Sequence, residues 1–253
     1  MIGLGPLLRK ELLEAWRTRR MLVVAAVFTA FGIASPFLAR YLPELIEALA
    51  GGQFEIVLPP PSVGDAADQF LKNVGQAGIL TAVLLAMGSV AVEKERGTAA
   101  LVLSKPASRG AYLLAKMVAI TVTLGVGLAL ASAGGYAYTA LLFEALPPIG
   151  WAAMTGLLLL ELVAYAALTF LGSVLARSSV AAAAIGVGGL LVVALISALP
   201  TIGAYTPGGL SGPARALALG TDAGGVIGPV LVNLGLVAAL LLVAWLAFRR
   251  QEL

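Results

Sequence analysis

Few residues in this chain can do chemistry. It has 253 residues, none of them histidine or cysteine. That excludes disulfides, zinc sites of the usual kind, cysteine nucleophiles and any Ser-His relay. Asp65, Asp68 and Asp222 fall in polar segments between apolar runs, so an intramembrane aspartate pair is missing too. Two features remain. Glu161 sits in the middle of an apolar run over 150–176, with Tyr165, Thr169 and Ser173 following at four-residue steps. Rows at that spacing share a helix face, so the run carries a polar stripe. A charge at the bilayer centre costs about 2.5–3.5 kcal/mol on insertion scales, so Glu161 must face protein or water. The stripe is either the wall of a translocation path with a proton or cation site, or a set of hydrogen bonds to a neighbouring helix. The second feature is "VEKERGTAALVLSKPASRG" (92–110), with Glu93, Lys94, Glu95 and Arg96 packed together between long apolar stretches.

The elements that position these residues follow from composition. The chain is 60% apolar and 11% charged, with mean hydropathy +1.00. Soluble domains carry about 25% charged residues, so the bilayer is the solvent here. A membrane helix needs about 20 apolar residues. Six runs qualify: about 21–39, 74–92, 111–143, 150–176, 180–199 and 226–248. Helices satisfy their own backbone in lipid, and alternating porin-like strands are absent. The fold class is therefore all-α, a polytopic membrane protein with a single transmembrane domain over 1–253. Basic residues set the orientation. With the N-terminus inside, 13 of the 16 Lys and Arg residues lie on the inner side, and only Arg40, Lys72 and Arg215 lie outside. The positive-inside rule then places both termini in the cytoplasm and explains the basic pI without nucleic acid. The first apolar run is too long for a signal peptide and lacks a small-residue cleavage site, so it reads as a retained span.

The connecting segments carry local signals. Residues 7–20, "LLRKELLEAWRTRR", form an amphipathic pattern suited to a helix lying in the membrane plane, Leu8, Leu12, Leu13, Ala15 and Trp16 on one side and Lys10, Glu11, Glu14, Arg17 and Thr18 on the other. In the outer segment 40–73, Leu42, Leu45, Ile46 and Leu49 predict a short interfacial helix ended by Gly51-Gly52. Pro59-Pro60-Pro61 follows as an extended piece, and Ser62 with Asp65 forms a capping box for the next helix. The segment 200–225 predicts a short helix around "ARALALG". The third run exceeds one crossing, so its start projects into water and Lys116 snorkels to the interface. The small-residue runs 124–135 and 181–189 permit close helix approach, within the chain or between copies.

The polar insert predicts a stiff elbow. Gly97 ends or bends one helix, Thr98 caps a short one through Leu103, and Pro106 stops it. That short helix presents Ala100, Leu101 and Leu103 for burial against something, with Arg109 at the foot of the next span. A bare connector needs only a few residues. The stretch "EKERGTAALVLSKPASRGAYLLAKM" resembles the signature loop of type-two ATP-binding-cassette (ABC) exporter permeases, through Glu93, Glu95, Arg96, Gly97, Thr98, Leu103, Ser104, Pro106, Ser108, Arg109 and Lys116. Its flavour is nearest the nitrous-oxide-reductase-maturation and sodium-export branches. The resemblance covers the whole chain in layout and 25 residues in motif.

The resemblance implies that 93–109 docks in a cleft of a separate nucleotide-binding ATPase, with Glu93, Glu95, Arg96, Gly97, Thr98, Leu101, Leu103, Pro106 and Arg109 as the contact. It also implies a second copy of the chain or a related permease, and ATP and Mg bound by the ATPase rather than by this chain. The residues agree on the energy source: with no Gly-Lys dipeptide there is no phosphate loop. The expected function is a permease subunit in the cytoplasmic membrane, not itself an enzyme. The rival is an ion-coupled carrier or channel using Glu161, with Tyr165, Thr169 and Ser173 lining its path. An intramembrane enzyme has no residues to work with.

Overall fold

The computed structural model describes residues 3–49, 60–103 and 107–251. Among these, every regular element is helical: α1 (Leu4–Arg17), α2 (Arg20–Leu49), α3 (Val63–Met87), α4 (Ala91–Glu95), α5 (Thr98–Leu103), α6 (Arg109–Leu142), α7 (Pro148–Leu175), α8 (Ser179–Ser197), α9 (Ser211–Ala218) and α10 (Ile227–Arg249). Six of the helices are long and apolar enough to cross a membrane. The six apolar runs each correspond to one of them.

Several boundaries differ from the hydropathy reading, for physical reasons. The first helix, expected in the membrane plane over 7–20, starts at Leu4 and ends at Arg17, where the Thr18 hydroxyl donates to the Glu14 carbonyl at 2.7 Å and Arg19 takes a left-handed turn (φ 59°). α2 runs unbroken to Leu49 through Pro36 and Pro43, so the separate interfacial helix expected after residue 40 is a continuation of the first span. Proline inside a membrane helix is tolerated where neighbours satisfy the freed backbone. The carbonyls that Pro36 and Pro43 free are those of Gly32 and Ala39; beside the first proline the Ser35 hydroxyl donates to the Phe31 carbonyl at 2.6 Å and accepts from Asn73 of α3 at 3.2 Å, which ties this part of α2 to α3. α3 starts at Val63 rather than 74, because the Ser62–Asp65 capping box opens it: Asp65 N–H donates to Ser62 Oγ (3.3 Å) and Ser62 N–H to Asp65 Oδ2 (2.8 Å). Gly51, Gly52, Glu55 and Pro59 lie outside the described residues.

α7 is the central helix. It is the most buried span, 67% of its apolar stretch, whereas α8 and α10 are only 11% buried and leave most of their apolar surface exposed. Phe28, Phe70, Phe170, Leu124, Leu128, Met154, Leu158 and Leu162 fill the space around it. The small-residue run of α6 packs within the chain. A Cβ on Gly135 would lie 2.7 Å from the Phe70 ring, and one on Gly127 would lie 3.0 Å from Val24. The run of α8 does the same, with Gly186 against Thr169 and Gly189 against Leu168.

α1, the α4–α5 elbow, the α7–α8 turn and the C-terminal residues gather at one end of the bundle, linked by hydrogen bonds from Lys10 to Glu93 and from Lys94 to Val174 and Gln251. At the other end, residues 203–205 and 207–210 form 3-10 turns leading into α9, whose Ala214 and Ala218 are buried. Asn233 of α10 holds these turns, donating to the Tyr205 carbonyl at 3.1 Å. The short helix expected around "ARALALG" is α9.

Candidate functional site

The bend between α3 and α4 builds the elbow. Gly88 closes α3, and the backbone N–H groups of Val90 and Ala91 then have no helical acceptor. Ser173 of α7 supplies one: its Oγ accepts from both (3.1 and 3.0 Å) and donates to the Met87 carbonyl at 2.8 Å. Buried backbone groups must be paired, so this hydroxyl locks the turn. α4 ends at Glu95, and Gly97 adopts φ 67°, a left-handed position that favours glycine. Thr98 opens α5 and donates its hydroxyl back to the Glu93 carbonyl at 3.2 Å.

The four consecutive charges divide into two pairs. Glu93 and Lys94 point into the protein, while Glu95 and Arg96 are exposed. Glu93 Oε1 accepts from Lys116 (2.8 Å) and Lys10 (3.1 Å), and its Oε2 accepts from the Tyr112 hydroxyl (2.6 Å). Glu11 Oε1 accepts from the same two lysines, at 3.1 Å from Lys116 and 2.9 Å from Lys10. Lys10 also pairs with Glu14 at 3.4 Å. Lys116, 4% exposed, therefore does not snorkel to the interface: it is buried between two carboxylates, which satisfy its charge where it stands. The Tyr112 ring stacks on Phe248 of α10, with centroids 5.6 Å apart. One cluster thus ties α1, α4, α6 and α10 together.

Charge balance sets the protonation of this cluster. Burial of Lys10 pulls its ammonium down, but the hydrogen bond to Glu11 and the charges of Glu11 and Glu93 outweigh it and hold Lys10 above its ordinary value. Glu11, Glu14 and Glu93 bring carboxylate oxygens within 4.8 Å of one another, the only such acidic set among the described residues. The two ammonium groups already bridge these acids, so the arrangement is an ion-pair network. A cavity of about 660 Å³ opens beside it, lined by Arg20, Arg96, Thr98 and the apolar Leu84, Leu85 and Val102.

The remaining elbow residues follow the same division. Lys94 Nζ donates to the Val174 carbonyl at 2.6 Å and to Gln251 at 3.3 Å, closing the last turn of α7. Arg109 donates to the carbonyls of Phe248, Arg249 and Gln251 at 2.8–3.0 Å, so its guanidinium caps the end of α10. Cationic side chains there favour the helix dipole. Ala99 is buried and Val102 packs on the core, whereas Leu101 is 69% exposed. The outward surface of the elbow is therefore Glu95, Arg96, Gly97, Thr98 and Leu101. Ser104, Lys105 and Pro106 lie outside the described residues, and of Leu103 and Ala100 only the backbone is described.

The structure places the four stripe residues of α7 in different surroundings. Ser173 serves the α3–α4 bend. Thr169 is fully buried, donating to the Tyr165 carbonyl at 3.1 Å beneath Gly186 of α8. The Tyr165 hydroxyl lies against Gly208. Glu161, 9% exposed, faces a cavity of about 390 Å³ that opens at the end opposite the termini, between α3 and α9.

Sequence reasoning missed the roles of Lys10, Glu11, Glu14, Tyr112 and Gln251, and took Lys116 for an interfacial residue. One signal was available: a lysine inside an apolar run needs an acid near it, and Glu93 and Glu11 were the acids at the same end.

Comparison with known proteins places these features in context. Residues 6–215 match the model of the family described as "ABC-2 family transporter protein". The chain is also 31% identical over 189 residues to the uncharacterized transmembrane protein YxlG of Bacillus subtilis (strain 168), covering 72% of this chain and 71% of that protein.

Proposed function

Because the chain belongs to the ABC-2 transporter family, a family of membrane transport components, we propose that it is the permease subunit of an ABC exporter in the cytoplasmic membrane. In this reading both termini face the cytoplasm, and a separate nucleotide-binding subunit holds ATP and Mg and hydrolyses the ATP. Two copies of this chain, or this chain and a related permease, complete the pathway. The motif over 93–117 supports kinship with the nitrous-oxide-reductase-maturation and sodium-export branches.

The observation that carries the reading is the division of the elbow. Glu95, Arg96, Thr98 and Leu101 are turned outward, a charged rim around an apolar point, which suits docking into a cleft. Glu93 and Lys94, on the inner side of the same turn, are bonded to α1, α6 and α7. A push on the outer surface is thereby delivered to three elements. ATP-driven closure of the partner subunits moves the elbow, and the in-plane helix and attached spans follow as rigid bodies, exchanging access between sides. Glu93, Lys94 and Arg109 act as internal struts of this device rather than as the partner's contact.

The test uses the absence of cysteine. A single cysteine at Thr98, carrying a thiol crosslinker in native membranes, captures a nucleotide-binding ATPase, and Arg96→Glu lowers the yield. Capture of no ATPase by a folded, labelled chain shifts the reading to a self-contained carrier driven by an ion gradient.

A further inference from the structure

The cavity opposite the termini is a pre-formed compartment with a buried carboxyl group at its floor. Its polar lining is Asp68, Lys72 and Gln76 of α3, Glu161 of α7, and Ser211 and Arg215 of α9. Leu71, Ile79, Gly75, Gly208 and Gly212 make the rest of the wall. Asp68 and Arg215 neutralise each other through a 2.7 Å ion pair at the rim. Lys72 and Gln76 are exposed there. Glu161 stands alone at the floor, 9% exposed, with no hydrogen-bond or ion-pair partner among the described residues. Every other polar side chain of the α7 stripe has a local role. A carboxylate withdrawn from water without a partner is costly, and an aperture beside it gives it access to a cation.

The chemistry of the walls selects the cation. Hard inorganic cations are held by six or more oxygens for calcium, and by near-octahedral oxygen shells for magnesium. Here one buried carboxyl group lies beside the apolar side chains of Leu71 and Ile79, the second carboxylate, Asp68, is already paired with Arg215 at the rim, and Glu161 belongs to no cluster of three acids among the described residues. A volume of about 390 Å³ falls within the range of small-molecule pockets, about 300–1,000 Å³. A single buried carboxyl group, ionised when a cation sits beside it, suits a diffuse positive head on an apolar body. We propose that this cavity binds a monovalent organic cation, with Glu161 as its counter-ion and Leu71 and Ile79 receiving the apolar part. Calling that cation the transported substrate rests on the exporter reading; the binding itself does not.

The experiment measures binding of benzyltrimethylammonium to the purified full chain in lipid nanodiscs, by saturation-transfer NMR, with benzyl alcohol as the neutral control. The quaternary head carries a fixed charge and so removes any ambiguity from titration of the ligand. Saturable binding of the cation is expected, with no binding of the alcohol at the same site. Glu161→Gln weakens it at least tenfold, and Glu161→Asp weakens it less. Gly212→Phe gives an independent check, because a Cβ there meets nothing within 4 Å and the ring projects into open space while Glu161 stays intact; it too weakens binding at least tenfold. Equal binding by wild type and Glu161→Gln overturns the assignment, as does absence of saturable binding in a monodisperse wild-type chain. Displacement of the probe by sodium chloride but not by N-methylglucamine chloride overturns the organic character of the ligand. No ATPase takes part, so failure here leaves the crosslinking test of the exporter reading untouched.

Discussion

Removing Lys116 tests the central cluster most directly. Its ammonium is 4% exposed and donates to two carboxylates, Glu93 at 2.8 Å and Glu11 at 3.1 Å, which are themselves 17% and 13% exposed. Lys116→Met keeps the length of the side chain and deletes the charge. Breaking one member of a buried pair costs about 3–5 kcal/mol, mostly from the charge left behind. Lys10 remains bonded to both acids but is itself 40% exposed, so it compensates in part. The expected loss is about 3 kcal/mol, at the low end of that range. Glu93→Gln keeps the Tyr112 contact and is expected to cost about 2 kcal/mol, within the range for a hydrogen bond between charged groups. In the double variant the Lys116–Glu93 interaction is lost only once, so the cycle shows coupling of about 1.5 kcal/mol. The assay is reversible unfolding in mixed micelles of dodecylmaltoside and SDS, followed by tryptophan fluorescence. Additivity within about 0.5 kcal/mol would mean that the two residues act independently, and the latch between α1, α4 and α6 would be refuted. A loss under about 0.5 kcal/mol for Lys116→Met alone would refute it equally, since surface pairs give values of that size.

Other expectations follow from neighbouring contacts. Ser173→Ala leaves the buried N–H groups of Val90 and Ala91 without their acceptor, and about 2–6 kcal/mol is lost at 1–3 kcal/mol per orphaned group; unchanged unfolding would remove Ser173 as the lock of the bend. Arg109→Leu frees three carbonyls at the end of α10, so backbone amides over 246–251 exchange at least tenfold faster while those of α7 do not change; equal protection would refute the cap. Lys10 is held above its ordinary value, so its contribution is fully present below the unfolded lysine value and fades only as pH rises through the higher folded value. The stability difference between wild type and Lys10→Met is therefore flat from about pH 6 to 9, and a decline inside that window would contradict the ion-pair geometry. Arg96→Glu, on the exposed side of the elbow, leaves unfolding unchanged within about 0.5 kcal/mol and lowers stimulation of the proposed ATPase partner at least fivefold; normal stimulation would remove this surface as the coupling contact.

How far the fold was legible depends on what each signal measures. Hydropathy reports the solvent around a residue, so the six apolar runs were plain, but it is blind to backbone that stays helical past the bilayer. That is why α3 begins at Val63: Asp65, Asp68 and Lys72 interrupt the apolar run without interrupting the helix. α2 passes residue 40 for the same reason, continuing to Leu49 through Pro36 and Pro43. Local chemistry read more sharply. Ser62 with Asp65 and Gly97 are decided within four residues of themselves, and both took the expected geometry.

The site was legible in its outline and not in its polarity. Along the chain Glu93, Lys94, Glu95 and Arg96 are four equivalent charges. The fold separates them because a short helix presents two to the bundle and two outward, and only the bundle holds Lys116 and the Val174 carbonyl. These partners lie 23 and 80 residues away, beyond the reach of any local pattern. The same limit applies to α1. The wheel separated its apolar and polar sides correctly, but a polar side need not face water: Lys10 and Glu11 are turned to the protein, while Leu13 and Trp16 are 42% and 58% exposed. In a bilayer that inversion is the stable choice. Lipid accepts the leucine and tryptophan, and buried Lys116 and Glu93 can be held as ions only if α1 brings them counter-charges. α1 is thus fastened to the elbow by a residue that made it look water-facing, Lys10 through its bond to Glu93.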